Sequence, residues 1–207
     1  MVPAHRHPHP FAHSGCGVWD RAPREGSRRI RIPVGARGRS VHRRAHSVPP
    51  GVRVDRTSIH EIAGEYDLVM FHHSLEHVPD QLQTLRRARE LMAPGGWCIV
   101  RIPVASSYAF KHYGVHWVQL DAPRHYFVHT TDSMSRLAAA AGLKLDHVIH
   151  DSTALQFWGS EAYRRDVPLG EARRLFSRSE MGGFERRAQA LNRRGEGDQA
   201  CFYLRRA

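Results

Sequence analysis

Two stretches of the chain are rich in side chains that can do acid–base chemistry. One covers residues 72–77, where three histidines and a glutamate follow an apolar run, and the other covers residues 121–125. A histidine changes its charge near neutral pH, so it can act as a general base, and charged neighbours can orient a polar substrate. The candidates for catalysis are His77 and His125, with His73 as a third candidate base, and the candidates for substrate binding are Asp121 and Arg124.

These residues also have a plain structural interpretation. His77 can equally pack and hydrogen-bond beside a turn. Asp121, Arg124 and His125 can form an ion pair that only braces a loop. The sequence leaves both interpretations open.

The histidine stretch also matches the H-x-x-E-H pattern of inverted zinc peptidases, through His73, Glu76 and His77. That chemistry needs both histidines on one face of a helix, with the glutamate as the base. Pro79 follows His77 by two positions and disfavours a long helix through both histidines. The sequence therefore predicts no metal site in this stretch.

The elements around the first stretch read as strand, helix and strand. The apolar run 67–71 ends at the histidines, Asp80 opens an amphipathic helix, and Pro94-Gly95-Gly96 leads into a second apolar run at 97–102. This order predicts a parallel sheet, and ligands bind such sheets beyond the carboxyl ends of the strands. Ligand-facing residues should therefore begin at His72.

The rest of the chain after residue 57 predicts further elements. The connection 104–130 is far longer than an ordinary loop, which indicates a functional role. The predicted elements are a helix over 133–141 capped by Thr131-Asp132 and stopped by Gly142, a strand over 143–150, an irregular segment over 152–178, a helix over 179–193 and a strand over 199–205.

The net charge of +11 is concentrated near the start of the chain. Residues 1–56 contain 12 arginines and 3 acidic residues, whereas residues 57–207 are nearly balanced. Composition divides the chain into a basic segment, 1–50, and a domain, 51–207. The segment is either disordered or a non-native reading of a GC-rich gene, and residues 1–47 should be mostly irregular. A basic arm can bind nucleic acid, but few aromatic residues accompany it, so nucleic-acid binding is disfavoured.

The cysteines and the apolar runs bear on location. Cys16, Cys98 and Cys201 are odd in number and far apart, which disfavours a disulfide framework. No apolar run is long enough to cross a bilayer, and the start lacks a signal peptide. We therefore expect a cytoplasmic protein that does not enter the membrane.

Residues 57–207 resemble class I methyltransferases that use S-adenosylmethionine (SAM). The resemblance lies in the order of several motifs, which are Tyr66-Asp67-Leu68-Val69, the Leu75–Asp80 string, Leu-x-Pro-Gly-Gly at 91–96, and Gly197-Asp198-Gln199 before a last strand. It implies an α/β, Rossmann-like sheet of seven strands with an antiparallel last strand. It also implies that SAM lies across the carboxyl ends of the first four strands.

The resemblance also implies which residues contact SAM. Only Ser14-Gly15-Cys16-Gly17 is similar to the family's glycine turn, and no clear second strand follows it, so the first βαβ unit is predicted to be incomplete. The implied cofactor-binding residues are Gly15, Gly17, Phe71, His72 and His73. The implied function is SAM-dependent methyl transfer to a small-molecule or sugar-like acceptor. The alternatives are a non-catalytic methyltransferase-like fragment and a basic nucleic-acid-binding protein.

Overall fold

The computed structural model describes residues 57–207 in full and, of the earlier part, the backbone of two strands at 15–20 and 30–31. These residues form one mixed sheet of six strands with the order β2-β1-β3-β4-β6-β5. The strands are β1 (Gly15–Asp20), β2 (Ile30–Arg31), β3 (Tyr66–His72), β4 (Met92–Pro103), β5 (Leu143–His150) and β6 (Gln199–Arg206). Among the described strands only β3 and β4 pair in parallel, and β6 is antiparallel to both of its neighbours, as predicted for the last strand.

Within residues 57–207, six α-helices connect and cover these strands. They are α1 (Gln81–Leu91), α2 (Tyr108–Tyr113), α3 (Thr131–Ala140), α4 (Leu155–Arg164), α5 (Leu169–Ala172) and α6 (Arg178–Arg193). Asp80 caps α1 as predicted, because its carboxylate accepts a hydrogen bond from the backbone N–H of Gln83. None of the helices in this part of the chain is long and apolar enough to cross a membrane.

Two hydrophobic clusters hold these elements together. The larger one joins the central strands to α1 and α3, and it includes Phe71, Leu85 and Met134. The smaller one joins the 104–130 connection to α4 and α6 through Trp117 and Phe157. The long connection is therefore packed against the fold, which gives its polar residues fixed positions.

The strand β4 starts five residues earlier than predicted. Tyr66 pairs with Met92 whereas Leu68 pairs with Trp97, so the Pro-Gly-Gly segment forms a bulge inside the strand. Gly95 has a φ of 77°, a conformation that favours glycine. A side chain at Gly96 would lie 3.0 Å from the carbonyl oxygen of Tyr66, so the neighbouring strand requires a glycine there too.

The prediction of an irregular segment at 152–178 is wrong, because α4 and α5 lie within it. The buried side of α4 carries Gln156, Gly159 and Ser160 beside Phe157. Ser160 is satisfied there, since its hydroxyl donates to the carbonyl of Gln156 and accepts from the backbone N–H of Val118. Small and polar residues on the buried side hid the apolar spacing by which a helix is recognised.

The early glycines lie within a strand. Gly15 pairs with His72 and Gly17 pairs with Met70, because β1 runs antiparallel to β3. The described backbone at 15–20 is therefore not the glycine turn that the resemblance implies. Two short strands also interrupt the segment predicted to be irregular, and the boundary predicted near residue 50 lies outside the described residues.

Candidate functional site

The polar turn that follows β3 is held in an uncommon backbone conformation. His73 has a φ of 47°, and its backbone N–H donates to the carbonyl of Arg101 over 2.9 Å. Asp121, in the second predicted stretch, has a φ of 43°. Non-glycine residues rarely adopt this left-handed region, and those that do are enriched at functional sites. Both predicted stretches thus contain such a residue.

The second stretch folds back onto the first, as predicted. The backbone N–H of Tyr126 donates to the carbonyl of Glu76 over 2.8 Å, and the Nδ1 atom of His77 bonds to the carbonyl of Arg124 over 2.9 Å. The rings of His77 and His125 lie 4.8 Å apart between centroids. The carboxyl end of β3 and the long connection therefore form one site.

Hydrogen bonds fix the tautomers of the two catalytic candidates. Nδ1 of His77 contacts the Arg124 carbonyl, and Nδ1 of His125 contacts the Gln119 carbonyl over 3.0 Å. A carbonyl oxygen can only accept, so both Nδ1 atoms carry the proton. In the neutral rings the Nε2 atoms then have free lone pairs. Burial lowers the pKa of His125, against the opposing effect of the Glu76 carboxylate, which favours this neutral ring.

His73 is held differently. Arg101 donates to Nε2 of His73 over 2.9 Å and to Nε2 of His72 over 3.0 Å, while its Nε contacts the carboxylate of Asp151 over 2.6 Å. A guanidinium has only donors, so both histidines use their Nε2 lone pairs as acceptors. Burial, followed by the charge of Arg101, lowers the pKa of His72. His73 thus has no free lone pair at Nε2, and it suits a positioning role better than a base role.

Glu76 is the most unusual residue of the site. Its side chain is 2% exposed, and neither carboxylate oxygen makes a hydrogen bond. Nδ1 of His73 lies 3.3 Å from one oxygen, without the geometry of a hydrogen bond. Burying a carboxylate without partners is unfavourable. The site therefore contains an acceptor group that no residue of the described chain satisfies.

A cleft of about 310 Å³ opens beside these residues. Arg124 and Asp121 form an ion pair at its edge with a distance of 2.5 Å, and Arg124 is 73% exposed. The cleft is lined by His73, Glu76, His77, Val118, Gln119, Asp121, Arg124, His125, Leu155, Tyr163, Leu169 and Gln199. The structure therefore brings together both catalytic candidates, both substrate-binding candidates and His73.

Other predicted cofactor residues lie differently. Phe71 is 1% exposed and belongs to the main core, because β3 continues to His72 and the turn begins at His73. His72 does not line the cleft. Its Nδ1 atom and the hydroxyl of Ser74 are buried without hydrogen-bond partners. These unpartnered atoms lie at the carboxyl end of β3, and Gly15 pairs with His72 at this same end.

Sequence reasoning missed several residues of the site. Gln119 lines the cleft, and its side-chain amide donates to the Asp198 carboxylate over 2.6 Å. Gln199 lines the cleft at the start of β6, where a polar residue precedes the buried Ala200-Cys201-Phe202. Arg101 lies inside a predicted strand, so only its pairing with His72 across the sheet shows that it reaches the site.

Comparison with known proteins gives related sequences and folds. The chain is 35% identical to a ubiquinone biosynthesis O-methyltransferase of Nitrosospira multiformis over 118 residues, covering 50% of this chain and 48% of that protein. It is 36% identical to the protein of the same name from Bordetella bronchiseptica over 111 residues, covering 47% and 44%. The chain thus spans about half the length of the curated relatives that it matches.

Solved structures give fold matches with low sequence identity. A SAM-dependent methyltransferase of Thermotoga maritima, a possible histamine N-methyltransferase, matches with a TM-score of 0.46 and 15% identity, covering 74% of this chain and 63% of that one. A 1,6-didemethyltoxoflavin-N1-methyltransferase of Burkholderia thailandensis matches with a TM-score of 0.42 and 16% identity, covering 75% and 51%.

The family assignment rests on the sequence. The family model described as "Methyltransferase domain" matches residues 21–148. This match covers the β3 turn, α1, β4 and the whole long connection, and it begins inside the basic segment. The chain belongs to the methyltransferase-domain family.

Proposed function

We propose that this protein transfers a methyl group from SAM to a hydroxyl group of a small-molecule acceptor. The observation that carries the proposal is the meeting of two free histidine lone pairs in the cleft at the carboxyl end of β3. Ligands of open α/β sheets bind at this end of the strands. The family assignment supports methyl transfer, and the relatives' name supports oxygen as the methylated atom.

The chain's own residues have separate parts in this proposal. When bound, SAM supplies a methyl group on a positively charged sulfur that keeps the bonding electron pair, so the acceptor oxygen needs only to lose its proton. In the protein without a bound ion, Nε2 of His77 or of His125 can accept that proton. His73 and the Arg101 guanidinium hold the end of β3 in place for the cofactor.

The substrate-binding candidates lie at the mouth of the cleft. Asp121 and Arg124 can each contact a polar group of the acceptor, because their ion pair is at the surface and contributes little to folding. Holding the acceptor oxygen near the methyl group is the main task of such an enzyme. Phenolic and sugar-like hydroxyls both suit this cleft, which has both polar and apolar side chains in its lining.

Cofactor binding is proposed for the predicted residues at the same end. His72 and Ser74 have buried polar atoms without partners, and Gly15 lies beside His72 in the sheet. Contacts of Gly15, Gly17 and Phe71 with SAM remain predictions. We also retain the prediction of a cytoplasmic location, which fits the free, buried thiols of Cys98 and Cys201.

The test uses the purified full chain and two measurements. Calorimetric titration with SAM and with its product S-adenosylhomocysteine measures cofactor binding. Incubation with methyl-labelled SAM and a panel containing a catechol, a simple phenol and a monosaccharide measures transfer. We expect binding of both nucleosides and labelled product from at least one hydroxyl acceptor. Absence of SAM binding would instead support the non-catalytic fragment.

A matched pair of variants locates the chemistry. His125→Ala should lower the rate of methyl transfer by about a hundredfold, which is the low end of the contribution that a general base makes. His116→Ala changes an exposed histidine that does not line the cleft and should leave transfer unchanged. Equal rates for these two variants would show that the cleft is not the active site.

A further inference from the structure

The cluster of Glu76, His77 and His125 has the composition of a metal centre. One possible ligand atom from each residue lies within 4.8 Å of the others. Two imidazoles and one carboxylate are a ligand set that iron, zinc and related divalent cations use in proteins. We propose that these three residues bind a divalent transition-metal cation, which in turn binds the acceptor hydroxyl.

The histidine tautomers are those that metal binding requires. A ligating histidine almost always donates its second N–H to a carbonyl or carboxylate, which fixes the ring and leaves the other nitrogen for the metal. Nδ1 of His77 donates to the Arg124 carbonyl, and Nδ1 of His125 donates to the Gln119 carbonyl. Both Nε2 lone pairs are thus available without any change of tautomer.

The buried carboxylate supplies an independent observation. Both oxygens of Glu76 lack hydrogen bonds, and the side chain is 2% exposed. Buried charges in proteins are paired or coordinate metals, because an unpaired charge is expensive to desolvate. Nδ1 of His73 lies 3.3 Å from one oxygen and makes no hydrogen bond with it. A cation would satisfy this carboxylate.

The geometry needs only a small adjustment. Bonds of about 2.0–2.2 Å in a tetrahedral site place ligand atoms about 3.3 Å apart. The three atoms therefore have to move inward, and His77 is the exposed member of the three, so packing restricts its side chain least. The Asp121 carboxylate, 3.7 Å from Nε2 of His125, lies beside the same position.

Three protein ligands would leave coordination positions open toward the cleft. Structural metal sites are usually closed by four protein ligands, whereas catalytic sites keep a position for water or substrate. A hydroxyl bound to the cation would lose its proton more readily to solvent water in the open cleft, because the metal charge stabilises the resulting oxyanion. The cation would then activate the acceptor, and this part of the inference rests on the proposed function.

The metal test is a binding measurement that does not depend on turnover. The full chain, freed of metal with a chelator, is titrated with Co²⁺ while visible absorption is followed. The histidines at positions 5, 7, 9 and 13 could also bind metal. A parent variant in which these four are alanine removes that contribution, and every comparison is made in this parent.

The expected result is one Co²⁺ per chain with visible absorption bands in the parent. Each of the three ligand variants should weaken Co²⁺ binding more than about tenfold; they are Glu76→Gln, His77→Ala and His125→Ala. Mutation of a residue that only hydrogen-bonds a metal ligand already lowers metal affinity about 10–100-fold. His116→Ala should bind like the parent. His77 is exposed, so its alanine variant should fold, and thermal unfolding checks all four variants.

Two results would overturn the proposal. One is Co²⁺ binding that survives in all three ligand variants. The other is absence of Co²⁺ binding in the parent, which lacks the four histidines near the start of the chain. The proposed function fails separately, through absence of SAM binding or methyl transfer in the metal-loaded chain. Metal binding with no methyl transfer would therefore leave the site in place and remove only its catalytic role.

Discussion

The indole N–H of Trp117 donates to the carboxylate of Asp198 over 2.9 Å, and both residues are buried. Trp117 lies in the long connection, and Asp198 immediately precedes β6. Gln119 donates to the same carboxylate oxygen over 2.6 Å. The backbone N–H of Val104 also donates to the Asp198 carbonyl over 2.9 Å. Asp198 therefore fixes the start of the connection, and through Gln119 it helps to place the His125 ring.

Asp198→Asn should remove a pH-dependent loss of stability. Burial raises the pKa of the Asp198 carboxyl, although the donors of Gln119 and Trp117 oppose this effect. The folded chain thus holds the proton more tightly than the unfolded chain. This contribution to the free energy of unfolding is fully present below about pH 4 and is lost as pH rises through the raised pKa.

Chemical denaturation across this pH range measures the effect. With rising pH the unfolding free energy of the wild type should fall relative to that of Asp198→Asn, and the difference should then level off. Asp132→Asn is the control, because Asp132 is 72% exposed and pairs only with Arg136 at the surface. Parallel curves for wild type and Asp198→Asn would contradict the prediction.

Much of the fold follows from the sequence because its local patterns are strong. The predicted strand 143–150 has the observed bounds, since Gly142 with a φ of 76° follows α3 and the alternating Leu143 and Leu145 begin the strand at once. The helix α4 was missed because its buried side carries Gln156, Gly159 and Ser160, whose fit depends on a distant part of the chain.

The sequence predicts which residues come together at the candidate site, but not their chemical detail. The rule that ligands bind beyond the strand ends led to the expectation that the two stretches meet, and His77 and His125 do lie side by side. Arg101 occupies the Nε2 lone pair of His73, whereas the Nε2 lone pairs of His77 and His125 stay free. This difference depends on the pairing of His72 with Arg101 across two strands, which the sequence does not reveal. Neither the unpartnered state of Glu76 nor the histidine tautomers has a pattern in the sequence.

His129→Gln should make the protein less sensitive to acid. Nε2 of His129 contacts the amide oxygen of Gln81 over 2.7 Å, and Nδ1 contacts the hydroxyl of Ser133 over 2.9 Å. Burial lowers the pKa of His129, so the unfolded chain binds this proton more tightly. The stability that it contributes is present above about pH 6.5 and is lost as pH falls through the lowered pKa.

A glutamine at position 129 keeps an N–H donor for Gln81 and does not titrate. Unfolding measured at about pH 7.5 and about pH 5 should show a smaller loss in His129→Gln than in wild type. His116→Gln changes an exposed histidine and should follow the wild type. An equal loss in all three proteins would mean that other groups cause the acid sensitivity.

Gly159→Ala should destabilise the packing of α4 on the long connection. A side-chain carbon at this position would lie 2.8 Å from a methyl carbon of Val118. Overpacking of this kind costs about 1–3 kcal/mol. Gly170→Ala is the matched control, because an added carbon there meets nothing within 4 Å, and it should be neutral or slightly stabilising. Urea denaturation gives both values, and equal values would contradict the close packing at Gly159.

The last prediction compares three side-chain truncations. His73→Ala removes an acceptor of Arg101 at the turn after β3 and should weaken SAM binding. His125→Ala removes a free lone pair from the cleft and should lower methyl transfer more than it lowers SAM binding. Arg136→Ala breaks only an exposed pair with Asp132, worth about 0–1 kcal/mol to folding, and should change neither.

Calorimetric titration with SAM and the labelled-methyl measurement separate these effects. We expect SAM affinity to fall about tenfold or more in His73→Ala, and the rate of methyl transfer to fall about tenfold or more in His125→Ala. Arg136→Ala should change either quantity by less than about twofold. A tenfold loss corresponds to about 1.4 kcal/mol of lost interaction. The structure predicts this order because both histidines line the cleft and Arg136 does not. Small and equal effects in all three variants would exclude the cleft as the site of SAM binding and methyl transfer.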